Sequence, residues 1–278
     1  MSNDKLVSAH YGQANLLKII QSALLKLGKT TETITMDELS LIDEFHIGRR
    51  EGTEKLFASL SFSKNDHILD IGCGIGGAAR FAATKYQNKV TGIDLTQEYI
   101  DTGNMLSEWL KLNHQVQLQR ANALSIPFGD KTFDGAYMIH SGMNIENKQH
   151  VFNEAHRILK TDALFAIYDV MLTNQQNIRY PVPWADDPQT SFLASSEQYQ
   201  SYLTEAGFQI INEIDYHDFA VAFFQEQNKN LEKMPELPPL GLHILMKEKA
   251  ALKMKNMLQN IVSGTLSPKV LIAKSKSY

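Results

Sequence analysis

The stretch HILDIGCGIGG, His67 to Gly77, runs from apolar residues through a carboxylate into a cluster of glycines. HILDI reads as a short buried strand. The glycines after it let the chain turn sharply and let a ligand approach the backbone at the N-terminus of the next helix. Gly72, Gly74 and Gly77 fit the G-x-G-x-x-G spacing of dinucleotide sites, and Asp94, in GIDL at the end of the next strand, lies about 20 residues on, where a carboxylate grips both ribose hydroxyls. These features are shared by many nucleotide-binding folds. Asp70 separates them, because a carboxylate projecting from the end of the first strand repels a diphosphate and attracts an ammonium or a sulfonium. The plainer alternative is an aspartate that caps the following helix.

Outward from this loop, strand-like and helix-like stretches alternate. They are HILDI, a helix to about Tyr86, KVTGID, a helix from Gln97 to about Leu112, VQLQRA, FDGAYMIH, a helix from Lys148 to about Leu159, and ALFAIYDV. This alternation predicts an α/β fold with a parallel sheet covered on both faces and sites at the carboxyl ends of its strands. Before it, LLKIIQSALLKL (16–27) has the helical apolar repeat, stopped by Gly28, and Thr35 with Glu38 forms a capping box for a helix over MDELSLIDEFH (36–46). After it comes a loop broken by Pro181, Pro183 and Pro188; a stretch this long is usually functional. Ser195 and Gln198 cap a further helix, FQIINEIDYH reads as a strand, helices are expected over Phe219–Met234 and Leu242–Val262, and KVLIAKS is a last strand. The expected organisation is an N-terminal helical cap (1–64), a Rossmann-like core (65–216), a helical insertion (217–266) and the core's final strand (267–278).

Composition sets further bounds. The chain has 278 residues, 43% of them hydrophobic and 21% charged, with a formal net charge of -4, which is the balance of an ordinary globular protein. No basic footprint suggests nucleic acid, so a small-molecule partner is expected. The single cysteine, Cys73, forms no intramolecular disulfide, and no Cys/His cluster has metal-ligand spacing, so no metal is expected. No signal-like or membrane-spanning apolar run occurs, which predicts a cytoplasmic protein without stable membrane insertion. The lysines at 247, 249, 253 and 255 give the 242–262 helix a basic amphipathic character that suits either an anionic surface or a cap helix with solvated lysines. A homo-oligomer is compatible with the chain.

On charge, S-adenosyl-L-methionine suits the loop better than a nicotinamide dinucleotide, because it offers ribose, adenine and two cations and carries no phosphate. With LDIGCGIGG, TGIDLT, ANALSIPFGDKTFDGAYMIH and EAHRILK in this order, the sequence resembles the class I S-adenosylmethionine-dependent methyltransferases over roughly residues 45–215. The stretches around DEFHIG, HSGMNI, PVPWADDPQTSFL and LGLHILM extend the likeness to the sarcosine and dimethylglycine type of small-molecule methyltransferase. The resemblance implies a Rossmann-like methyltransferase fold with a mostly parallel seven-stranded sheet. It also implies that Asp70 and the backbone of Gly72, Gly74 and Gly76 meet the methionine part, that Asp94 binds the ribose, and that Leu95 stacks on adenine. Asn122 stands where many members have Asp; its amide oxygen can accept from the adenine amino group, and Ala123 can offer its backbone N–H.

Methyl transfer from a sulfonium requires alignment, exclusion of water and, for a protonated nucleophile, a proton acceptor. His140, closing GAYMIH, is either a catalytic base or a histidine held beside the cofactor by backbone hydrogen bonds. Tyr11, His46, Asn144 and Trp184 are the candidate substrate contacts, each with packing or turn formation as its alternative, and Asp186 and Asp187 either neutralise an amine or are solvated. The expected reaction is methylation of a small amine of the glycine, sarcosine or dimethylglycine kind. The alternatives are a C- or O-methyltransferase of a quinone-like or secondary metabolite, a nicotinamide-dependent oxidoreductase, and a non-catalytic cofactor-binding partner protein.

Overall fold

The computed structural model describes residues 3–174, 177–234 and 236–277. Its centre is a seven-stranded sheet in the order β3-β2-β1-β4-β5-β7-β6. The strands are β1 (His67–Ile71), β2 (Lys89–Asp94), β3 (Val116–Arg120), β4 (Phe133–Ile139), β5 (Leu159–Leu172), β6 (Phe208–Asp215) and β7 (Leu266–Ser275). Neighbouring strands from β3 through to β5 pair in parallel, whereas β7 runs antiparallel to both β5 and β6. The expected mostly parallel seven-stranded sheet is therefore the one observed.

β1 is nearly continuous in apolar residues because both of its faces are covered. Leu69 and Ile71 face a core with Phe152 and Ile158 of α7 (Lys148–Ile158) and with Tyr199 and Leu203 of α8 (Ser196–Glu205). Ile68 faces the opposite core, with Ala79 and Ala82 of α5 (Gly77–Tyr86) and Leu56 and Phe57 of α4 (Arg49–Ala58). α6 (Gln97–Trp109) packs against β2 and β3. The N-terminal helices α2 (Leu16–Lys26) and α3 (Met36–Asp43) bury Leu16, Ile20, Leu24 and Leu39 in a third cluster, beside Leu106 of α6 and Leu245. A fourth cluster joins α9 (His217–Glu232) and α11 (Ala250–Val262) to Trp184 of the proline-rich loop.

Both expected capping boxes form, at Thr35 with Glu38 and at Ser195 with Gln198. Two helix expectations need correction. The helix expected over residues 36–46 stops at Asp43, and Glu44, Phe45 and His46 turn into the wall of a cavity instead of continuing it. The helix expected over 242–262 is broken: α10 (His243–Met246) ends before Lys247, whose φ is 61°, a short 3-10 turn follows, and α11 begins at Ala250. At the break, the Lys247 ammonium donates to the carbonyls of His10 and Gly12 at 2.9 and 2.8 Å, while Lys249 pairs with Asp186 at 3.1 Å. Lys253 is buried and pairs with Asp186 at 3.2 Å. These lysines tie the insertion to the first helix, α1 (Asn3–Tyr11), and to the proline-rich loop, which fits the cap-helix reading better than an anionic surface.

Candidate active site

The neighbours of β1 are β2 on one side and β4 on the other, so the chain direction of the connections reverses there and a crevice opens at the strand ends. The glycine loop lies in that crevice. Gly72 has φ 78°, and a Cβ placed there would fall 2.1 Å from the Ser141 hydroxyl, so the position admits no side chain. The amides of Gly72 and Cys73 donate to the Ile93 carbonyl at 2.8 and 3.0 Å. Asp94 holds the loop from the other side, its carboxylate accepting from the Gly74 amide at 3.0 Å and from Thr96 at 2.8 Å. Gly76 departs from its expected role: it caps α5 with φ 83° against Leu118 and Arg80 and is not among the residues lining the cavity.

The crevice deepens into a cavity of about 280 Å³. Asp70, Gly72, Gly74, Asp94, Leu95, Asn122, Ala123 and His140 all line it, as do Tyr11, His46, Asn144 and Trp184. The fold thus brings twelve of the thirteen candidate cofactor and substrate residues of the sequence to one space, with Gly76 outside its lining.

Asp70 is 2% exposed and accepts from the Tyr137 hydroxyl at 3.0 Å. Burial pushes its pKa up to about 8; the Tyr137 hydrogen bond opposes the rise, and the nearby Asp94 and Glu44 charges add to it. Burial also raises Asp94, against the pull of the backbone amides at Thr96 and Gly74. Among the described residues no Lys or Arg lines the cavity. A buried and a half-buried carboxylate with no protein cation facing them suit a cation-bearing ligand and disfavour a phosphate. Tyr99 and His140 line the same space, and the Tyr99 hydroxyl and the His140 Nε2 are buried without a hydrogen-bond partner. The residues present therefore fit S-adenosylmethionine. Among the described residues no group of three or more His, Cys, Asp or Glu is arranged to hold a metal ion.

His140 has φ 49°, in the left-handed region, and its amide donates to the Tyr168 carbonyl at 2.7 Å. Its ring meets Tyr168 edge-on at 4.8 Å and His46 at 5.9 Å. Burial first, and His46 second, hold its pKa well below 6.5, so the imidazole is neutral at pH 7. His46 is pushed down to about 4 by burial, and its Nε2 lies 2.9 Å from the Arg49 carbonyl and 3.0 Å from the Thr53 hydroxyl. Its Nε2 is thus engaged in the wall.

The other candidates form one network. Tyr11 donates to the Asn144 carbonyl oxygen at 2.8 Å, and the Asn144 amide nitrogen donates to the Trp184 and Thr190 carbonyls, both at 2.9 Å. The Trp184 indole donates to Ser191 at 3.0 Å. These bonds clasp α1, the 142–144 turn and the proline-rich loop around the cavity. Asn122 donates to Asp4 of α1 at 2.9 Å, while its amide oxygen already accepts from Leu124 at 2.9 Å. Asp186 pairs with lysines and Asp187 caps the Pro188–Thr190 turn through Gln189, so neither faces the cavity.

Sequence reasoning missed Glu44, Phe223, Phe224, Met254 and Met257, all of which line the cavity. Glu44 is fully buried; it accepts from Thr53 at 2.6 Å, pairs with Arg50 at 2.8 Å, and is raised to about 7 by burial and by Asp43. The acid within DEFHIG carried no pattern to mark it as buried, and the aromatic and methionine residues looked like the packed faces of two ordinary helices.

Comparison with known proteins decides the family. Residues 69–167 match the family model described as a methyltransferase domain. The chain therefore carries a methyltransferase domain, which supports a class I S-adenosylmethionine-dependent methyltransferase. Its cofactor is S-adenosylmethionine, which removes the nicotinamide and non-catalytic alternatives. The methyltransferase is 28% identical over 214 residues to the O-methyltransferase resE of Aspergillus sclerotiorum, covering 76% of this chain and 79% of the relative. It spans 34% to 60% of the length of several other curated relatives. Among solved structures it is similar to a protein of Galdieria sulphuraria described as a candidate sarcosine dimethylglycine methyltransferase, with TM-score 0.65, 18% identity and coverage of 83% and 86%. It is also similar to geranyl diphosphate C-methyltransferase of Streptomyces coelicolor A3(2), with TM-score 0.72, 15% identity and coverage of 99% and 98%. At these identities the structures show the fold, and the named acceptor atoms differ among them.

Proposed function

We propose that the protein transfers a methyl group to an oxygen or an acidic carbon of a small-molecule acceptor placed beside His140. The observation that carries this reading is the neutral, unpartnered, buried Nε2 of His140 in the same cavity as the carboxylate pair of Asp70 and Asp94. When bound, S-adenosylmethionine supplies an electrophilic methyl on a cationic sulfur. Asp70, once ionised, holds a cation at the end of β1. Asp94 binds the ribose hydroxyls while keeping the glycine loop ordered through Gly74 and Thr96. Leu95 supplies an apolar surface for adenine, and the Ala123 amide offers a donor to the ring. Asn122 takes part through the second lone pair of its amide oxygen, since the first serves Leu124.

At the acceptor, the His140 lone pair receives the proton from the O–H or C–H as the new bond to the methyl carbon forms and the sulfur keeps its bonding electrons. Tyr11, Asn144 and Trp184 close the surrounding segments and exclude water. The second reading, methylation of an amine, is favoured by the acidic lining and by the likeness to the sarcosine dimethylglycine protein. An amine that arrives deprotonated needs no base, so the two readings part at His140. Turnover of labelled S-adenosylmethionine on an acceptor panel, with His140→Ala at saturating cofactor, tests the proposal. A large fall in kcat with cofactor affinity retained supports proton acceptance; an unchanged kcat, or label entering only amines, defeats it.

A further inference from the structure

Resting on the reading of this cavity as the methyl-transfer site, we infer that the acceptor is an uncharged, bulky and largely apolar molecule bearing no carboxylate or phosphate. The cofactor half of the cavity is built by the ends of β1, β2 and β3, and the other half by the helical insertion and the proline-rich loop. There Phe223 and Phe224 of α9, Leu245 of α10, Met254 and Met257 of α11, and Trp184 present a wall of aromatic rings and flexible apolar chains. Such a wall holds an aromatic or alicyclic skeleton by area burial and offers few hydrogen bonds to a small polar solute.

The charges point the same way. The charged side chains that line the cavity are all carboxylates, among them Asp70, Asp94 and Glu44. The cations flanking the cavity are engaged elsewhere. Arg50 pairs with Glu44 at 2.8 Å and Arg80 with Asp43 at 2.7 Å. Lys148 donates to the Ile145 and Phe192 carbonyls, and Lys253 pairs with Asp186. Arg49, at the start of α4, keeps a buried Nε without a hydrogen-bond partner, as Arg50 and Arg80 keep further guanidinium nitrogens, but none of the three lines the cavity. An acceptor carboxylate would therefore be desolvated against protein carboxylates, with no counter-charge from the cavity wall, whereas a neutral skeleton bears no such cost. This argues against glycine, sarcosine and dimethylglycine themselves as the natural acceptors and leaves the acceptor atom open.

Calorimetric titration of the full chain saturated with S-adenosylhomocysteine tests the inference, using 2-naphthol and its anionic counterpart 6-hydroxy-2-naphthoate. The expected result is binding of 2-naphthol at least about tenfold tighter than the carboxylate. Phe224→Ala weakens 2-naphthol several-fold while S-adenosylhomocysteine affinity stays at the wild-type value, and Met257→Arg narrows or reverses the preference. Equal or tighter binding of the carboxylate overturns the inference, and its loss in Arg49→Gln would make Arg49 the anchor. Binding of sarcosine in place of both naphthalenes overturns it as well. Failure of S-adenosylhomocysteine to bind at all would instead defeat the reading of the site, and each variant's S-adenosylhomocysteine titration shows whether it has folded.

Discussion

Lowering the pH should weaken cofactor binding through Asp70, and the size of the effect follows from its environment. Burial sets the Asp70 pKa at about 8, against 3.8 for an ordinary aspartate. The cationic cofactor pairs with the ionised form, so below pH 8 binding must first release a proton. From pH 7 to pH 6 the ionised fraction falls about tenfold, which costs about 1.4 kcal/mol of binding free energy. Asp94, also raised by burial, adds in the same direction. Without ligand the sign is opposite. The folded chain holds a proton at Asp70 that the unfolded chain releases, so this site's contribution to stability falls as pH rises from about 4 to about 8. Titration with S-adenosylhomocysteine at pH 6, 6.5 and 7, in buffers of different ionisation enthalpy, reads both affinity and proton release. The expected slope is about one decade of affinity per pH unit, with close to one proton released, and Asp70→Asn removes about one proton from that linkage. A flat profile in the wild type, or a slope unchanged in Asp70→Asn, would refute the reasoning.

Three further outcomes are expected. Asp94→Ala removes two charge-assisted hydrogen bonds to ribose, at about 1.5–3 kcal/mol each, so the S-adenosylhomocysteine Kd should rise by a factor of a hundred or more; a change within threefold in the same titration would mean that Asp94 does not meet the ribose. Arg80→Met leaves the fully buried Asp43 without its partner, which costs about 3–5 kcal/mol. The melting temperature should fall by roughly 5 to 9 °C, and calorimetry showing no fall would contradict the buried pair. His46 is held near 4 by burial, so its contribution to stability is complete above pH 6.5 and is lost as pH falls from 6.5 through 4; His46→Gln should flatten the denaturant-measured stability profile over that window.

The sheet was legible because its strands obey local rules. HILDI and KVTGID have the bounds expected of them, and both capping boxes form where the hydroxyl and the Glu or Gln stand three residues apart. Asp70 and Asp94 were legible for a different reason: a carboxylate at the end of a buried strand is costly and calls for a ligand. The misreadings lie where tertiary contacts override periodicity. Residues 44–46 keep a helical pattern, yet Glu44 and His46 leave the helix to meet Thr53 and Arg50. Lys247 breaks an apparently continuous helix because its ammonium reaches two carbonyls at the end of α1. Phe223, Phe224, Met254 and Met257 could not be told from core residues, since a cavity wall and a packed core place apolar residues on the same helical faces.

The most direct test of the central claim, that the Asp70 and Asp94 carboxylates select a cation-bearing nucleoside, is a side-by-side calorimetric titration with S-adenosylmethionine and NAD at pH 7.5. The account predicts a single site for S-adenosylmethionine, strongly weakened in Asp70→Asn, and no heat of binding for the diphosphate-bearing NAD. Binding of NAD, or S-adenosylmethionine affinity undiminished by Asp70→Asn, would contradict it.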